Sequence, residues 1–377
     1  MASNRKRGQN EGSVFARDDG RWSAALSVGG GRRVYVYGAT AAEAREKLHD
    51  MRQRRKDGLP AAIQRQTVSQ LIDVWLESVR PSLRFGTWRK YESNLRLHVR
   101  PTLGIVRVAE LGPADLERLY GSLGRKGLAP QSVVHVHRTI HALLAKASKW
   151  EIVPRNVAAL ADVPRVPRVE MQTLSPDEVR RLLDAARGSR YEALWRLAVG
   201  TGMRRGEMLG LKWDQVDLDA GVVRVVATLD RSPDGLVLTE PKTKRSRRSI
   251  HLSPSIVAAL REHRGRQNAE RLRLGPAWQD TGFVFTTTVG TPVNANSVIP
   301  REFKPLLAKA GIGRHVRIHD LRHTAISFAL SASVAPTDVA EMAGHSSVAV
   351  TLTTYAHALP DAPMRAAAAI EKVIAGA

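Results

Sequence analysis

Ile318-His319-Asp320-Leu321-Arg322-His323-Thr324 is the stretch on which the reading of this chain turns. On a helix, His319 and Arg322 stand three apart and share a face while Leu321 points inward, so an imidazole and a guanidinium converge on one point. A single phosphate fits such a pair. The same residues admit a metal site, with His319 and His323 at i, i+4 and Asp320 between them. The further carboxylates that a metal-dependent phosphohydrolase needs are not grouped nearby.

Composition supports the phosphate. The 377 residues carry 58 Lys plus Arg against 36 Asp plus Glu, a formal charge of +22 spread along the whole chain. A polyanion is the expected partner, and nucleic acid fits best because each neutralised phosphate releases counterions; solubility charge is the plain alternative. Cysteine is absent, which removes disulfides, thiolate zinc sites and cysteine nucleophiles. The basic start Met1 to Arg7 precedes no apolar run, so it is not a secretory signal, and no stretch is long enough to span a bilayer. A cytoplasmic, nucleoid-associated protein with no membrane partner is expected.

Upstream, Ser13 to Ala16, Trp22 to Val28 and Val34 to Tyr37 read as short strands separated by Asp18-Asp19-Gly20 and Gly29-Gly30-Gly31. Thr40 then caps a helix that ends in Arg52, Arg54, Arg55 and Lys56. Residues 1–62 are therefore expected to form a basic module of small sheet plus helix. From Thr67, the spacing of Val68, Leu71, Ile72, Trp75, Leu76 and Val79 predicts an amphipathic helix. Three more follow, around Trp88 to Val99, Pro113 to Leu123 and Gln131 to Trp150, so 66–152 reads as a four-helix domain.

Pro154, Pro164 and Pro167 make 153–172 an extended basic linker in this reading. Ser175-Pro176-Asp177-Glu178 opens the last unit, 173–377, with a capping box. That unit is expected to be mainly helical with a strand-rich insert from Val222 to Leu252, a β-hairpin or three-stranded sheet. The fold class is thus mainly α, multidomain, with small β elements.

Three more islands in 173–377 carry polar chemistry. In Thr201-Gly202-Met203-Arg204-Arg205-Gly206-Glu207, Gly202 permits a tight turn that aims an arginine into a cleft, where Glu207 can hold it; a surface arginine pair is the bland reading. Glu240 to Arg248 includes Lys242 and Lys244 at a cationic hairpin tip, suited to phosphates and to giving up a proton. Met342-Ala343-Gly344-His345 precedes Tyr355, which taken alone reads as core or surface.

All four islands occur in one order, and together they resemble the tyrosine recombinase family, the phage integrases. The resemblance covers most of the chain and implies an arm-site module, a core-binding domain and a catalytic domain. Matched to the family's motifs, Arg204 is the first arginine, Lys242 the hairpin lysine, His319 and Arg322 the His-x-x-Arg pair, His345 the histidine after glycine, and Tyr355 the nucleophile. The choice of Arg204 over Arg205, and of Lys242 over Lys244, rests on the resemblance alone.

It implies a site-specific recombinase for integration or excision of a mobile element. Two guanidiniums would clamp the phosphate, His319 would take or orient the proton of Tyr355, and Lys242 would protonate the leaving 5′ oxygen. The product would be a 3′-phosphotyrosine, made without metal, nucleotide or other cofactor. Duplex DNA at core and arm sites, a homotetramer assembled on it and an excision factor are the implied partners. A helix from Met364 to Ile374 is expected to pack on its own subunit or on a neighbour. Alternatives weighed are a non-catalytic DNA-binding regulator of the same fold and a type IB topoisomerase-like strand-passage enzyme.

Overall fold

Gly20, in the left-handed region at φ 77°, lets the chain reverse between β1 (Ser13–Ala16) and β2 (Trp22–Gly29). The computed structural model describes residues 12–29, 32–56, 66–167, 171–240 and 246–355, with 367, 370, 371, 374 and 375 beyond them. By contacts the chain divides into two compact units, Met1–Arg168 and Val169–Ala377.

In the first unit β3 (Arg32–Gly38) completes an antiparallel sheet in the order β1-β2-β3, with Phe15 opposite Ser23 and Ser23 opposite Tyr37. Strand alternation sends Val14, Trp22, Leu26, Val34 and Val36 toward Ala44, Leu48 and Met51 of α1 (Ala41–Lys56). Phe15, Tyr35 and Tyr37 occupy the alternate positions and are exposed. The Thr40 hydroxyl accepts from the Glu43 amide at 3.2 Å.

A separate core gathers α2 (Val68–Val79), α3 (Phe85–Asn94), α4 (Arg100–Leu103), α5 (Pro113–Arg125) and α6 (Pro130–Lys149). Thr67 closes a capping box with Gln70 at the head of α2, and the periodic Val68, Leu71, Ile72 and Trp75 are buried. A π turn at Leu95–Val99 joins α3 to α4 and keeps Leu95, Val99 and Leu103 on the core side. Residues 153–161, read from sequence as the start of a linker, belong to this core. Val153 and Ala158 are buried there, and Asn156 caps a short turn at Val157–Ala159. Neither helix nor strand occurs at 162–167.

The second unit begins with α7 (Pro176–Ala186), α8 (Glu192–Thr201) and α9 (Arg205–Leu209). Then come β4 (Val216–Asp217), β5 (Val222–Val225), β6 (Thr228–Ser232), β7 (Gly235–Thr239) and β8 (Arg248–His251), in a three-stranded sheet β4-β5-β8 and a β6-β7 hairpin. The helices α10 (Pro254–Leu274), α11 (Ala295–Val298), α12 (Lys304–Lys309), α13 (Ile318–Ser331), α14 (Pro336–Ala343) and α15 (Val348–Tyr355) follow. Trp195 of α8 lies 5.2 Å from Phe303 in the main core, and Ile326, Leu330, Val339, Ala343 and Tyr355 form a smaller one. The fold is mainly helical with small antiparallel sheets, as expected. Among the described residues no helix is long and apolar enough to cross a membrane.

Glu207 ties these elements together. Its side chain is 3% exposed; one oxygen accepts from Arg248 Nη2 at 2.9 Å and from the Arg204 amide at 2.9 Å, and the other from Arg204 Nη1 at 2.8 Å. Arg248 in turn donates from Nε to the Met342 carbonyl at 2.6 Å and from Nη1 to Ser246 at 3.1 Å. Thus α9 and β8 meet on one carboxylate, and Arg248 ties the end of α14 to them. Removing one member of such a buried pair leaves the other charge uncompensated, at a cost of about 3–5 kcal/mol. Glu207→Ala is expected to destabilise the second unit by that amount in urea unfolding; a loss under about 1 kcal/mol, the range of exposed pairs, would contradict the role given to this carboxylate.

Candidate active site

Two of the arginines singled out from sequence are brought to one place by short local devices. Gly202, at φ 61°, ends α8 in a left-handed turn, after which Arg204 stands at the N-cap of α9. The Gly202 carbonyl accepts from Arg322 Nη1 at 2.7 Å, and Arg204 Nη2 donates to the Gly344 carbonyl at 2.7 Å. Gly344 also adopts a left-handed conformation, φ 64°, and a Cβ there would come within 2.9 Å of Arg248. That close approach lets His345 follow directly on the backbone that Arg204 and Arg248 hold.

Arg322 is buried, which with the nearby charges of Arg204 and Arg248, and despite Glu207, lowers its pKa to about 10. Glu207 stays below the ordinary carboxylate range: burial alone would raise it, and the bonds and charges of Arg248 and Arg204 outweigh that. Two guanidiniums are thus bonded to one carboxylate and a third, Arg322, lies near it, and a bound anion would relieve the surplus.

Tyr355, the last residue of α15, is 1% exposed. Its ring stacks on His345 at 6.2 Å, and its hydroxyl meets Nδ1 of His323 at 2.6 Å. Burial pushes the phenol up to about 12, with Arg322 pulling the other way, so it is neutral at pH 7. His345 Nδ1 is engaged by the Thr351 hydroxyl at 2.7 Å, which leaves Nε2 for another partner. Burial first, and then neighbouring charge, lowers both His323 and His345 to about 4. His319 is exposed, lies edge-on to His323 at 4.8 Å, and is lowered in pKa by burial of its ring and by Arg322.

The structure thus brings together Arg204, Arg322, His345 and Tyr355, with His319 beside them. Lys242 and its neighbour Lys244 lie outside the described residues, as do most of Met364 to Ile374. A cavity of about 490 Å³ opens beside Arg204, Arg231, Asn294 and His345, and another of about 510 Å³ beside Arg204, Arg205, Lys304, His315 and His319. Asp320, weighed above as a metal ligand, caps its own helix: it accepts from the Arg317 amide at 2.7 Å and from the Arg317 guanidinium. Among the described residues no group of three or more potential metal ligands is assembled.

Sequence reasoning passed over two participants. Arg248 stood unremarked in the basic run, and His323 was weighed only as a metal ligand, the proton of Tyr355 being given to His319. The i, i+4 spacing from His319 signalled that both imidazoles share a face; nothing in it pointed to Tyr355.

Comparison with known proteins identifies the family. The phage integrase family matches residues 172–361, and the phage integrase N-terminal SAM-like domain matches 67–123. A tyrosine recombinase XerC-like protein of Caldanaerobacter subterraneus subsp. tengcongensis is 29% identical over 348 residues, 87% of this chain and 88% of that one. An integrase of Streptomyces ambofaciens is 29% identical over 372 residues, 94% of each. The Tn1549 transposon integrase, solved with a circular intermediate DNA, shares the fold with a TM-score of 0.68 at 22% identity, over 81% of this chain and 99% of that one. The matched span 172–361 holds every residue of the site, from Arg204 to Tyr355, and the chain belongs to the phage integrase family of tyrosine recombinases, enzymes that recombine DNA site-specifically by cleaving and rejoining it.

Proposed function

We propose that this recombinase integrates and excises a mobile element, cutting duplex DNA by attack of Tyr355 on a phosphodiester. The observation that carries the reading is the convergence on Arg322 of a second guanidinium, Arg204, an imidazole, His345, and a buried neutral phenol, Tyr355. Attack places charge on the nonbridging oxygens, and Arg204 and Arg322 offer planar, charge-assisted donors to them. His345 Nε2 and the exposed His319 supply further hydrogen bonds to the phosphate.

As the bond from Tyr355 Oη to phosphorus forms, the bond to the 5′ oxygen breaks and the phenol proton passes to an imidazole. Lys242 protonates the 5′ oxygen. The 3′-phosphotyrosine conserves the energy of the broken bond, so a 5′ hydroxyl from a second duplex reverses the attack without ATP or metal. Exchange between two duplexes takes four such cuts, which calls for four copies on the DNA; a lambda integrase of the same fold (TM-score 0.58, 16% identity, 93% of this chain and 96% of that one) is known as a tetramer bound to a Holliday junction.

The helices α2 to α6 are assigned to the core site and the N-terminal module to an arm site. On the latter's exposed sheet face Arg17 lies over Tyr37 at 5.2 Å, beside Phe15 and Tyr35, a mixed cationic and aromatic surface suited to a nucleic acid. A separate excision factor is the expected partner of the reverse reaction, and the nucleoid the expected location.

Tyr355→Phe is expected to abolish covalent protein–DNA adducts while leaving DNA affinity unchanged. Trapping on genomic fragments, with the adduct ends sequenced, checks this and yields the target; adduct from the variant would remove the assignment. Adduct formation by the unaltered enzyme should be indifferent to EDTA, and its loss on chelation would restore the metal reading.

His323 and His345 titrate near 4 when folded against 6.5 as free side chains. Between those limits the unfolded chain binds the extra protons, so stability is lost as pH falls from 6.5 toward 4. Urea midpoints should drop through that window, and a midpoint that holds or rises would contradict the burial described.

A further inference from the structure

One imidazole of the site has a partner that the reading from sequence did not give it. His323 follows Arg322 on α13, and its Nδ1 lies 2.6 Å from the hydroxyl of Tyr355, the atom that attacks in the proposed reaction. We propose that His323, and not His319, is the residue that takes the proton of Tyr355 when the phosphotyrosine bond forms.

The geometry carries this assignment, which rests on the recombinase reading above. A proton leaves along the hydrogen bond already made, and the phenol makes its bond to His323. His319 meets the edge of His323 rather than the phenol, with ring centroids 4.8 Å apart, and is exposed where His323 is half-buried. The phenol is held from two sides: His345 stacks on its ring and His323 binds its oxygen; in the tautomer that carries its hydrogen on Nε2, His323 accepts the phenolic hydrogen at Nδ1. Without an acceptor there, the hydroxyl would donate to an anionic phosphate oxygen, and its lone pairs would turn aside from phosphorus.

Proton balance is straightforward. Oη gains a bond to phosphorus and gives its hydrogen to Nδ1; the electron pair of the broken bond goes to the 5′ oxygen, which Lys242 protonates. Reversal returns the proton from His323 to Oη. A phenol pushed up to about 12 and an imidazole near 4 are mismatched in the resting protein. That mismatch disappears during attack, because the phenolic hydrogen becomes strongly acidic as its oxygen bonds to phosphorus, so transfer accompanies bond formation. The low resting value keeps the ring neutral and able to accept. The titratable groups that face it are His319, Asp320, Arg322 and Arg317 on or beside its own helix, and Tyr355 and His345 across from it.

The test is single-turnover adduct formation on a nicked duplex carrying the site recovered by trapping, followed from pH 6 to pH 8. His323→Asn keeps an acceptor about where Nδ1 was but cannot carry a proton. Its rate at pH 7 should fall at least about 100-fold, the usual scale of general-base catalysis, and should rise about tenfold per pH unit as hydroxide takes over. The unaltered enzyme and His319→Asn should both show flat profiles. Slopes are compared within each variant, so partial unfolding lowers the amplitude and leaves the slope intact. His323→Asn cutting within threefold of the unaltered enzyme, or cutting slowly with a flat profile, would overturn the assignment, as would a hydroxide dependence found in His319→Asn instead. No adduct from the unaltered enzyme, with Tyr355→Phe as blank, would overturn the recombinase reading along with it.

Discussion

The second unit is organised around the buried negative charge of Glu207. The carboxylate of Glu207 accepts from the guanidiniums of Arg204 and Arg248, and Arg248 reaches on to the carbonyl of Met342 at the end of α14. Three segments far apart in sequence are registered by it: the turn after α8, the strand β8, and the loop that carries His345. A buried carboxylate with so many donors has one favourable arrangement, because any shift leaves a charge without its partner in a medium that solvates it poorly. Side chains that must converge within a few ångströms inherit that precision.

The electrostatic state left by this arrangement suits phosphoryl chemistry. Among the described residues Glu207 is the one carboxylate bonded to Arg204 and Arg248, and Arg322, with a backbone carbonyl for partner, has its pKa reduced by burial and by the other two. The site is short of negative charge, and burial holds its imidazoles neutral. A phosphodiester entering there supplies the missing anion, and the extra charge of an attacked phosphate is worth more still. Donors fixed in advance need no reorganisation when that charge appears. Tyr355 is kept neutral until then, its phenol buried among Ile326, Leu330, Val339 and Ala343 and closed off by His323.

Much was legible before any coordinate. The stripe Val68, Leu71, Ile72 and Trp75 is a helix face, and Thr67 and Ser175 close capping boxes, because these depend on residues within a turn of one another. Glu207 as the holder of Arg204 was also readable, and the family resemblance implied that Arg322 joins it at one phosphate. The interval 153–161 was misjudged because Pro154 does break the helix, while Val153 and Ala158 still find a core to bury in; proline spacing speaks of backbone and not of where the chain then packs.

Alone, the sequence determined the helical periods, the caps, the tight turn at Gly202, the strongly basic balance and the order of the motifs. All of these follow from interactions between near neighbours or from composition. Only the tertiary structure decided that Glu207 also holds Arg248, 41 residues on, and that the hydroxyl of Tyr355 rests on His323, 32 residues before it, rather than on His319. The two imidazoles lie one helical turn apart and are equivalent to any local rule. Which of them touches the phenol depends on how α15 is packed against α13, a matter of shape and burial that spacing along the chain does not encode.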